Sequence, residues 1–130
     1  LSQKLGVDLI IIDHLERDKI PQVYAIADLF ILPSIEEVWG LVVNEAMACA
    51  LPIICSDKAG CVNDLIVNKK NGNTFISGNL ESLVKEINSI LYNSKKLTKM
   101  GKESKKIIEN ITPDKVSSSI YKSILKVIKK

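Results

Sequence analysis

The spacing of apolar and polar residues divides the chain into two parts. Up to residue 78, short apolar runs alternate with amphipathic segments, a pattern typical of strands that alternate with helices. From residue 79 onwards, apolar residues recur every three or four positions, which indicates helices. The sequence therefore predicts an α/β fold in one unit, with a parallel sheet and flanking helices over residues 1–78 and three helices over residues 79–130.

Five apolar runs are predicted to form strands. The first, between Asp8 and Asp13, has four consecutive apolar residues and is typical of a strand buried on both faces of a parallel sheet. Turns are predicted at Asp57–Gly60 and at Asn71-Gly72, and the second is interpreted as a turn without a further role. The other predicted strands are Leu29–Leu32, Ile53–Cys55, Asp64–Val67 and Thr74–Ile76.

Proline and capping residues mark the helix starts. Pro21 fits the first turn of a helix, where its missing amide costs no hydrogen bond. Asn79 and Ser94 are predicted to cap two helices, and Thr112-Pro113 to start the last one. A further helix is predicted at Val42–Cys49. The predicted inner faces are Ile20, Val23, Tyr24 and Ala27 in the first helix, Leu83, Ile87, Ile90 and Leu91 in the helix after Asn79, and Val116, Ile120, Ile124 and Ile128 in the last.

The composition is that of a single folded unit. With 130 residues, of which 46% are hydrophobic, the chain can bury one core. No apolar run approaches the ~18 residues of a membrane span. The chain opens Leu-Ser-Gln-Lys, without an initiator Met or a signal peptide, so we expect a piece of a longer protein. Cys49, Cys55 and Cys61 lack Cys-x-x-Cys spacing, which favours reduced structural thiols in a cytosolic protein over a metal site or a disulfide.

The net charge of +3 is unevenly distributed. Residues 1–94 carry 7 basic and 12 acidic side chains, a net −5, whereas residues 95–130 carry 11 lysines against three acidic residues, a net +8. Lysines without interleaved aromatic residues argue against specific nucleic-acid recognition. Two interpretations remain open: a solvated helical face, or attraction to an anionic membrane surface such as the inner face of the cytoplasmic membrane.

The residues with the clearest chemical meaning lie where a predicted strand gives way to a helix. Gly40 is at that junction, where unpaired amides and the helix dipole favour an anion such as phosphate. Glu45, about one turn into the helix, is suited to accept hydrogen bonds from the two hydroxyls of a ribose. Glu37, eight positions earlier, is placed to reach another part of the same ligand. A phosphate anchor between two carboxylates is suited to a nucleotide-sugar.

With other residues along the chain, these glutamates resemble the retaining glycosyltransferases of the GT-B fold, and more narrowly the "group 1" family with its Glu-x7-Glu motif. The similarity covers essentially the whole chain. It implies a Rossmann-like sheet that forms the later part of the carboxyl-terminal, donor-binding domain. The residues that carry it are Ala27-Asp28, Pro33-Ser34, Glu37, Trp39-Gly40-Leu41, Glu45-Ala46-Met47-Ala48, Leu51-Pro52-Ile53-Ile54, Ser56-Asp57, Gly60, Asp64-Leu65-Ile66, Asn71-Gly72, Leu97 and Met100-Gly101.

The resemblance also implies roles for individual residues. Glu45 is expected to bind the ribose, and Glu37 to contact the donor sugar near the reacting carbon as a candidate catalytic residue. The amides of Gly40, Leu41 and Val42 are expected to hold the diphosphate. No metal or cofactor is implied, since the nucleotide-sugar is a substrate. The alternatives are that Glu45 is only a favourable carboxylate near a helix start and that Glu37 is an ordinary loop residue.

Two further side chains flank these positions. Trp39 is expected to pack within the loop rather than to stack on a ligand. His14 follows the first predicted strand, at the sheet edge where α/β proteins bind ligands and near the nucleobase pocket of the resembling family. Two interpretations of His14 remain open: it is an exposed loop residue, or it contacts the base.

The chain departs from the family pattern at several places. Asp13 and Ala50 occupy positions where relatives usually have glycine, and Cys61 stands in place of a second glycine after Gly60. If the site of Ala50 needs a left-handed backbone, alanine costs about 1 kcal/mol there. In the resembling family, a basic Arg/Lys pair that grips the diphosphate and the whole acceptor-binding domain precede the part that this chain matches.

The resemblance predicts the donor-binding part of a retaining, hexosyltransferase-type enzyme that moves a sugar from a nucleotide donor to a glycan, lipid or small acceptor. The acceptor would be bound by an amino-terminal domain, and these 130 residues alone are expected to be inactive. Relatives typically build surface polysaccharides. Two alternatives are a non-hydrolysing nucleotide-sugar epimerase of the same fold and a non-catalytic subunit. The sugar, the base, the acceptor and the oligomeric state stay open.

Overall fold

The computed structural model describes residue 4 and residues 6–128, and its centre is a three-stranded parallel sheet in the order β1-β2-β3. The strands are β1 (Phe30–Leu32), β2 (Ile53–Ser56) and β3 (Gly72–Phe75). Ile31 of β1 lies opposite Ile54 of β2, which lies opposite Asn73 of β3. A helix lies between each pair of consecutive strands, as parallel pairing requires. The predicted α/β fold with a parallel sheet is confirmed.

Within residues 6–128, six helices surround and follow the sheet. The predicted Asn79 cap is confirmed, because its side-chain oxygen accepts a hydrogen bond from the Ser82 amide at 2.8 Å. The prediction that Ser94 caps the next helix is wrong by one residue. The cap is Asn93, whose side-chain oxygen accepts a hydrogen bond from the Lys96 amide at 3.0 Å. The helices are α1 (Ile20–Ile26), α2 (Leu41–Ala48), α3 (Val62–Leu65), α4 (Leu80–Leu91), α5 (Ser94–Ile108) and α6 (Pro113–Ile128).

The core is built on the two faces of β2, all four of whose residues are buried. Ile53 and Cys55 point into one cluster, with Val43 and Met47 of α2. Ile54 points to the opposite face, into a cluster with Phe75, Ile90 of α4 and Met100 of α5. Because side chains alternate across a strand, a fully buried β2 requires helices on both faces.

The strand predicted between Asp8 and Asp13 is wrong. Residues 7–12 pair with no strand in the described part of the chain, and Leu9, Ile10, Ile11 and Ile12 are between 53% and 82% exposed. An apolar run becomes a strand only when a neighbouring strand satisfies its amides and carbonyls. Within the described residues β1 pairs only with β2, and its other edge does not pair with this run.

The strand predicted at Asp64–Val67 is also wrong. Val62–Leu65 is a short helix, and only the residues that follow it are extended. Leu65 and Ile66 are both buried, so the local run is apolar without belonging to the sheet. A short apolar run does not distinguish a strand from a buried helical turn.

The strand predicted at Thr74–Ile76 begins two residues earlier, at Gly72. Gly72 pairs with Ile53, and a Cβ at Gly72 would lie 2.2 Å from the Ile53 carbonyl oxygen. The glycine that suggested a turn therefore allows close approach between two strands.

Asn71 has a structural role that the interpretation as a turn omitted. Its buried side chain accepts from the Val67 amide at 2.7 Å and donates to the Leu65 carbonyl at 2.9 Å. The Asn71 carbonyl accepts from the buried Ser104 hydroxyl of α5 at 3.2 Å. Asn71 thus joins α3, the start of β3 and α5.

The backbone at Ala50 is left-handed, with φ of 59°, as the family pattern of a glycine at this position suggested. Its carbonyl oxygen lies 2.0 Å from where a Cβ of Gly101 would be, so α5 crosses the end of α2 at close range. Alanine in this conformation costs about 1 kcal/mol relative to glycine.

The last helix, α6, is more exposed than the other long helices, α4 and α5, and has no buried residue. Thr112 accepts from the Lys115 amide at 3.3 Å, which confirms the predicted start of α6. The stripe of Val116, Ile120, Ile124 and Ile128 is between 47% and 74% exposed, so its prediction as an inner face was wrong in the described structure. Among the described residues, no helix is long and apolar enough to cross a membrane.

Candidate functional site

The candidate site is the loop of residues 33–40, which leaves the carboxyl end of β1 and enters α2. Ligands of open α/β sheets bind at this edge, beyond the carboxyl ends of the strands. The loop is short, and it brings the predicted Glu37 and Gly40 to the start of the helix that carries Glu45.

A second segment holds this loop in place. The Gly60 amide donates to the Glu37 carbonyl at 2.9 Å, and the Cys61 amide donates to the Trp39 carbonyl at 3.1 Å. A Cβ at Gly60 would lie 2.0 Å from the Val38 carbonyl oxygen. The two segments therefore fit only with glycine at this crossing, which fixes the backbone that carries Glu37.

Gly40 is the N-cap of α2 and has φ of 93°, in the left-handed region. A Cβ there would lie 3.2 Å from Cδ2 of Leu32 and 3.4 Å from Cγ of Glu37. The Gly40 carbonyl accepts from the Val43 amide at 2.9 Å, so the amides of Leu41 and Val42 precede the first bond of the helix. Unpaired amides at a helix start can bind an anion, and the phosphate role of these residues stays a prediction.

Glu37 is half-buried, whereas Glu36 is exposed. Oε1 of Glu37 accepts from the Trp39 amide at 3.3 Å, which orients the carboxylate. Glu36, Glu37, Val38 and Lys58 line one open cavity of about 390 Å³. Lys58 was not singled out from the sequence, although it lies just beyond the carboxyl end of β2, where α/β folds place ligand contacts.

Glu45 lies one turn into α2 and lines a different cavity, of about 280 Å³. Oε2 of Glu45 accepts from the Tyr24 hydroxyl at 3.2 Å. Burial, and then the Glu45 carboxylate, raise the pKa of Tyr24 to about 12, so the hydroxyl remains a donor at neutral pH. The cavity is lined by Arg17, Ile20, Pro21, Tyr24, Glu45, Ala48 and Cys49.

The two predicted glutamates thus line separate cavities, on the loop before the helix start and on the helix after it. Trp39 is 37% exposed, and its indole nitrogen donates to Asn44 Oδ1 at 3.1 Å, so the ring is tied to the first turn of α2. His14 is exposed and lines neither cavity.

Cys49, Cys55 and Cys61 are free thiols. Cys55 and Cys61 are fully buried. Burial, together with the neighbouring Cys61, raises the pKa of Cys55 to about 12. Burial also raises the pKa of Cys61. Since the thiolate is the reactive form, both are structural side chains, and Sγ of Cys61 lies 3.6 Å from where a Cβ of Gly40 would be.

The sequence is similar to known sugar-transferring enzymes. Residues 1–107 match the family described as "Glycosyl transferases group 1". The sulfoquinovosyl transferase of Arabidopsis thaliana is 32% identical over 107 residues, which are 80% of this chain and 21% of that protein. The chain therefore spans about a fifth of the length of this relative.

Solved structures are similar to the fold over nearly all of the chain. A glycosyltransferase from Rickettsia africae matches with a TM-score of 0.75 and 27% identity, over 96% of this chain and 35% of its own. HepE of Anabaena, solved in complex with UDP-glucose, matches with a TM-score of 0.76 and 22% identity, over 96% of this chain and 35% of its own.

Proposed function

This chain belongs to the group 1 glycosyl transferases and has the fold of a GT-B glycosyltransferase domain, and from that premise we propose that it is the donor-binding part of a retaining glycosyltransferase. The complete enzyme would transfer a sugar from a nucleotide-sugar to a glycan, lipid or small acceptor. The acceptor site and a basic Arg/Lys pair for the diphosphate would lie outside the part that this chain matches.

The observation that carries the proposal is the arrangement around Gly40. The left-handed Gly40 opens α2 without a side chain in the way, and the amides of Leu41 and Val42 come before the first helical hydrogen bond. These amides would bind the diphosphate at the positive end of the helix dipole. Glu45, one turn further on, would accept hydrogen bonds from the ribose hydroxyls.

Glu37 would stabilise the positive charge that develops on the donor sugar during the reaction. When the bond from the anomeric carbon to the diphosphate breaks, positive charge develops on the sugar and negative charge on the phosphate. The half-buried Glu37 carboxylate would stabilise the sugar, and the helix amides would stabilise the leaving phosphate. The acceptor hydroxyl would then form the new bond to the same carbon, and its proton would pass to an oxygen of the leaving diphosphate. Retention of configuration at that carbon is part of the proposal.

Two findings support a nucleotide-sugar as the donor. The structural neighbour HepE was solved with UDP-glucose, and its fold matches 96% of this chain. The matched family is one of transferases, which favours sugar transfer over epimerisation. The identity of the nucleobase and of the sugar is not part of the proposal.

Substitution of Glu45 in the complete enzyme tests the donor site. Glu45→Ala removes a charged acceptor for two hydroxyls, each bond being worth about 1.5–3 kcal/mol, so the Kd for the nucleoside diphosphate should rise at least tenfold. Glu36→Ala is the matched control, because Glu36 is an exposed glutamate of the same loop that lies outside the proposed motif. Isothermal titration with UDP, ADP and GDP measures both.

If Glu36→Ala and Glu45→Ala weaken binding equally, the register of the motif is misassigned. If no nucleoside diphosphate binds the parent enzyme, the proposed function is wrong.

A further inference from the structure

The hydroxyl of Tyr24 is the unusual feature of the cavity beside Glu45. It comes from α1, 21 positions earlier in the chain, and donates to Oε2 of Glu45 at 3.2 Å. The periodicity of the sequence predicts only that Tyr24 lies on the inner face of its helix. In the structure the ring is half-buried against the core, while the hydroxyl reaches out to a carboxylate of the site.

The ring of Tyr24 is anchored. It packs edge-on against Phe30 of β1, with ring centroids 5.8 Å apart and planes at 69°. A tyrosine held in this way has only its hydroxyl left to rotate, so the position of its oxygen is set by the core. The hydroxyl is therefore a fixed donor next to a glutamate.

Glu45, by contrast, is exposed on the surface of α2. A free glutamate side chain samples many rotamers, and that freedom is lost when it binds a ligand. A carboxylate has two oxygens and about four acceptor positions, so one bond from Tyr24 leaves enough acceptors for two ligand hydroxyls. The Tyr24 bond thus favours one orientation of the carboxylate and leaves its other acceptor positions free for a ligand.

We infer that Tyr24 is a positioning residue of the ribose site: its hydroxyl holds the Glu45 carboxylate in the orientation that accepts the two ribose hydroxyls of the donor. This inference rests on the proposed function, because it requires Glu45 to bind ribose. It adds a residue from α1 to a site otherwise formed by the β1–α2 loop and α2.

The wall of the cavity agrees with this role. Apart from Tyr24 and Glu45, it contains the guanidinium-bearing Arg17 and a mostly apolar surface from Ile20, Pro21 and Ala48. A sugar ring bound to Glu45 would meet apolar groups on one side and a small number of polar groups that fix its orientation, as is usual in ligand sites.

The inference is tested in the complete enzyme by comparing the affinity for a ribonucleotide with the affinity for the same nucleotide without its 2′- and 3′-hydroxyls. Whichever of UDP, ADP and GDP binds most tightly is compared with its 2′,3′-dideoxy analogue by isothermal titration. The parent should favour the ribonucleotide by about 100-fold or more, and Glu45→Ala should reduce this ratio to about one. Tyr24→Phe, which keeps the ring and its contact with Phe30, should reduce the ratio about 3- to 10-fold.

The double variant Tyr24→Phe with Glu45→Ala shows whether Tyr24 acts by positioning Glu45 or contacts the ribose by itself. If Tyr24 acts through Glu45, adding Tyr24→Phe to Glu45→Ala should leave the ratio unchanged. Tyr92→Phe is the control, since Tyr92 is 84% exposed and lies at the end of α4, away from the cavity. Thermal unfolding of each variant checks that the fold is kept.

The outcomes are distinguishable. If Glu45→Ala lowers the ratio and Tyr24→Phe does not, the inference about Tyr24 is wrong and the proposed donor site stands. A further fall in the double variant would also overturn it, because Tyr24 would then act without Glu45. If Glu45→Ala leaves the ratio at the parent value, the ribose role of Glu45 fails, and the inference fails with it.

Discussion

Single residues decide the chemistry of the loop that carries Glu37. Its carboxylate is held by one hydrogen bond from the Trp39 amide, and its own carbonyl is held by the Gly60 amide. The neighbouring Glu36 is exposed. Two adjacent glutamates thus differ in burial, and the half-buried Glu37 has a carboxylate that accepts a backbone hydrogen bond.

The first prediction concerns the charge of Glu37 in the complete enzyme. Glu37→Gln keeps the size and an oxygen that accepts from the Trp39 amide, but it removes the negative charge. If that charge stabilises the oxocarbenium-like centre, kcat should fall about 100-fold or more while the donor KM changes little. Steady-state kinetics at fixed acceptor concentration measure both parameters.

Glu36→Gln is the control for this substitution and should leave kcat near the parent value. A rise in KM with unchanged kcat would instead assign Glu37 to ground-state binding of the donor. Matching thermal unfolding curves must be obtained before the kinetics are compared.

The second prediction concerns the crossing at Gly60. Gly60→Ala would bring a methyl group to 2.0 Å from the Val38 carbonyl oxygen, so the loop or its partner segment must move. Since the contact is with backbone, we expect a loss of about 3 kcal/mol or more in the free energy of unfolding. Chemical denaturation measures this loss.

Gly78→Ala is the matched control, because Gly78 has φ of 73° but nothing within 4 Å of its Cβ position. It should cost only about 1 kcal/mol, from backbone strain alone. Equal losses for the two variants would contradict the steric role of Gly60.

At the level of elements, the turn between α3 and β3 depends on one buried amide side chain. Asn71 satisfies the carbonyl of Leu65, the last residue of α3, and the amide of Val67, two residues beyond it. Its own carbonyl accepts from the Ile53 amide of β2 at 3.1 Å and from the Ser104 hydroxyl of α5. The turn is therefore a junction of the sheet with two helices.

The third prediction follows from this junction. Asn71→Ala leaves a backbone amide and a carbonyl without their side-chain partner, at about 1–3 kcal/mol for each group that stays buried. We expect the free energy of unfolding to fall by about 2–4 kcal/mol. Asn88→Ala, at an exposed position of α4, should change it by less than about 0.5 kcal/mol. An equal effect of the two substitutions in urea denaturation would show that Asn71 does not hold the junction.

At the scale of the whole molecule, apolar and basic surface coincide on α6. The stripe of Val116, Ile120 and Ile124 is exposed, and Lys122 and Lys126 on the same helix are exposed as well. An amphipathic helix with lysines on its polar face is suited to the interface of an anionic membrane. We therefore predict that the complete enzyme binds anionic membrane surfaces through α6.

Vesicle binding by the complete enzyme tests that proposal. Vesicles that contain phosphatidylglycerol should bind the enzyme more tightly than vesicles of phosphatidylcholine alone, and less tightly as salt is added. Because each basic side chain near the surface contributes about 1 kcal/mol, Lys122→Glu with Lys126→Glu should weaken binding about tenfold or more. Lys85→Glu, at an exposed position of α4, is the single-charge control. Equal binding to both kinds of vesicle would contradict the proposal.

The sequence alone determined the order and type of most elements. The apolar runs at Leu29–Leu32 and Ile53–Cys55 and the helix that carries Glu45 were predicted within one or two residues, because periodicity and capping are local properties. The positions of Gly40 and Glu45 relative to the helix start follow from the same local signals. The family motif added roles that spacing alone does not give.

Only the tertiary structure decided which apolar segments are buried. The runs at residues 9–12 and on α6 have the pattern of inner faces yet are exposed, because burial depends on a neighbour that local sequence does not specify. The bond from Tyr24 to Glu45 joins residues 21 positions apart, and the crossing at Gly60 depends on a second loop. Such contacts are fixed by how the helices pack on the sheet, so no local pattern predicts them.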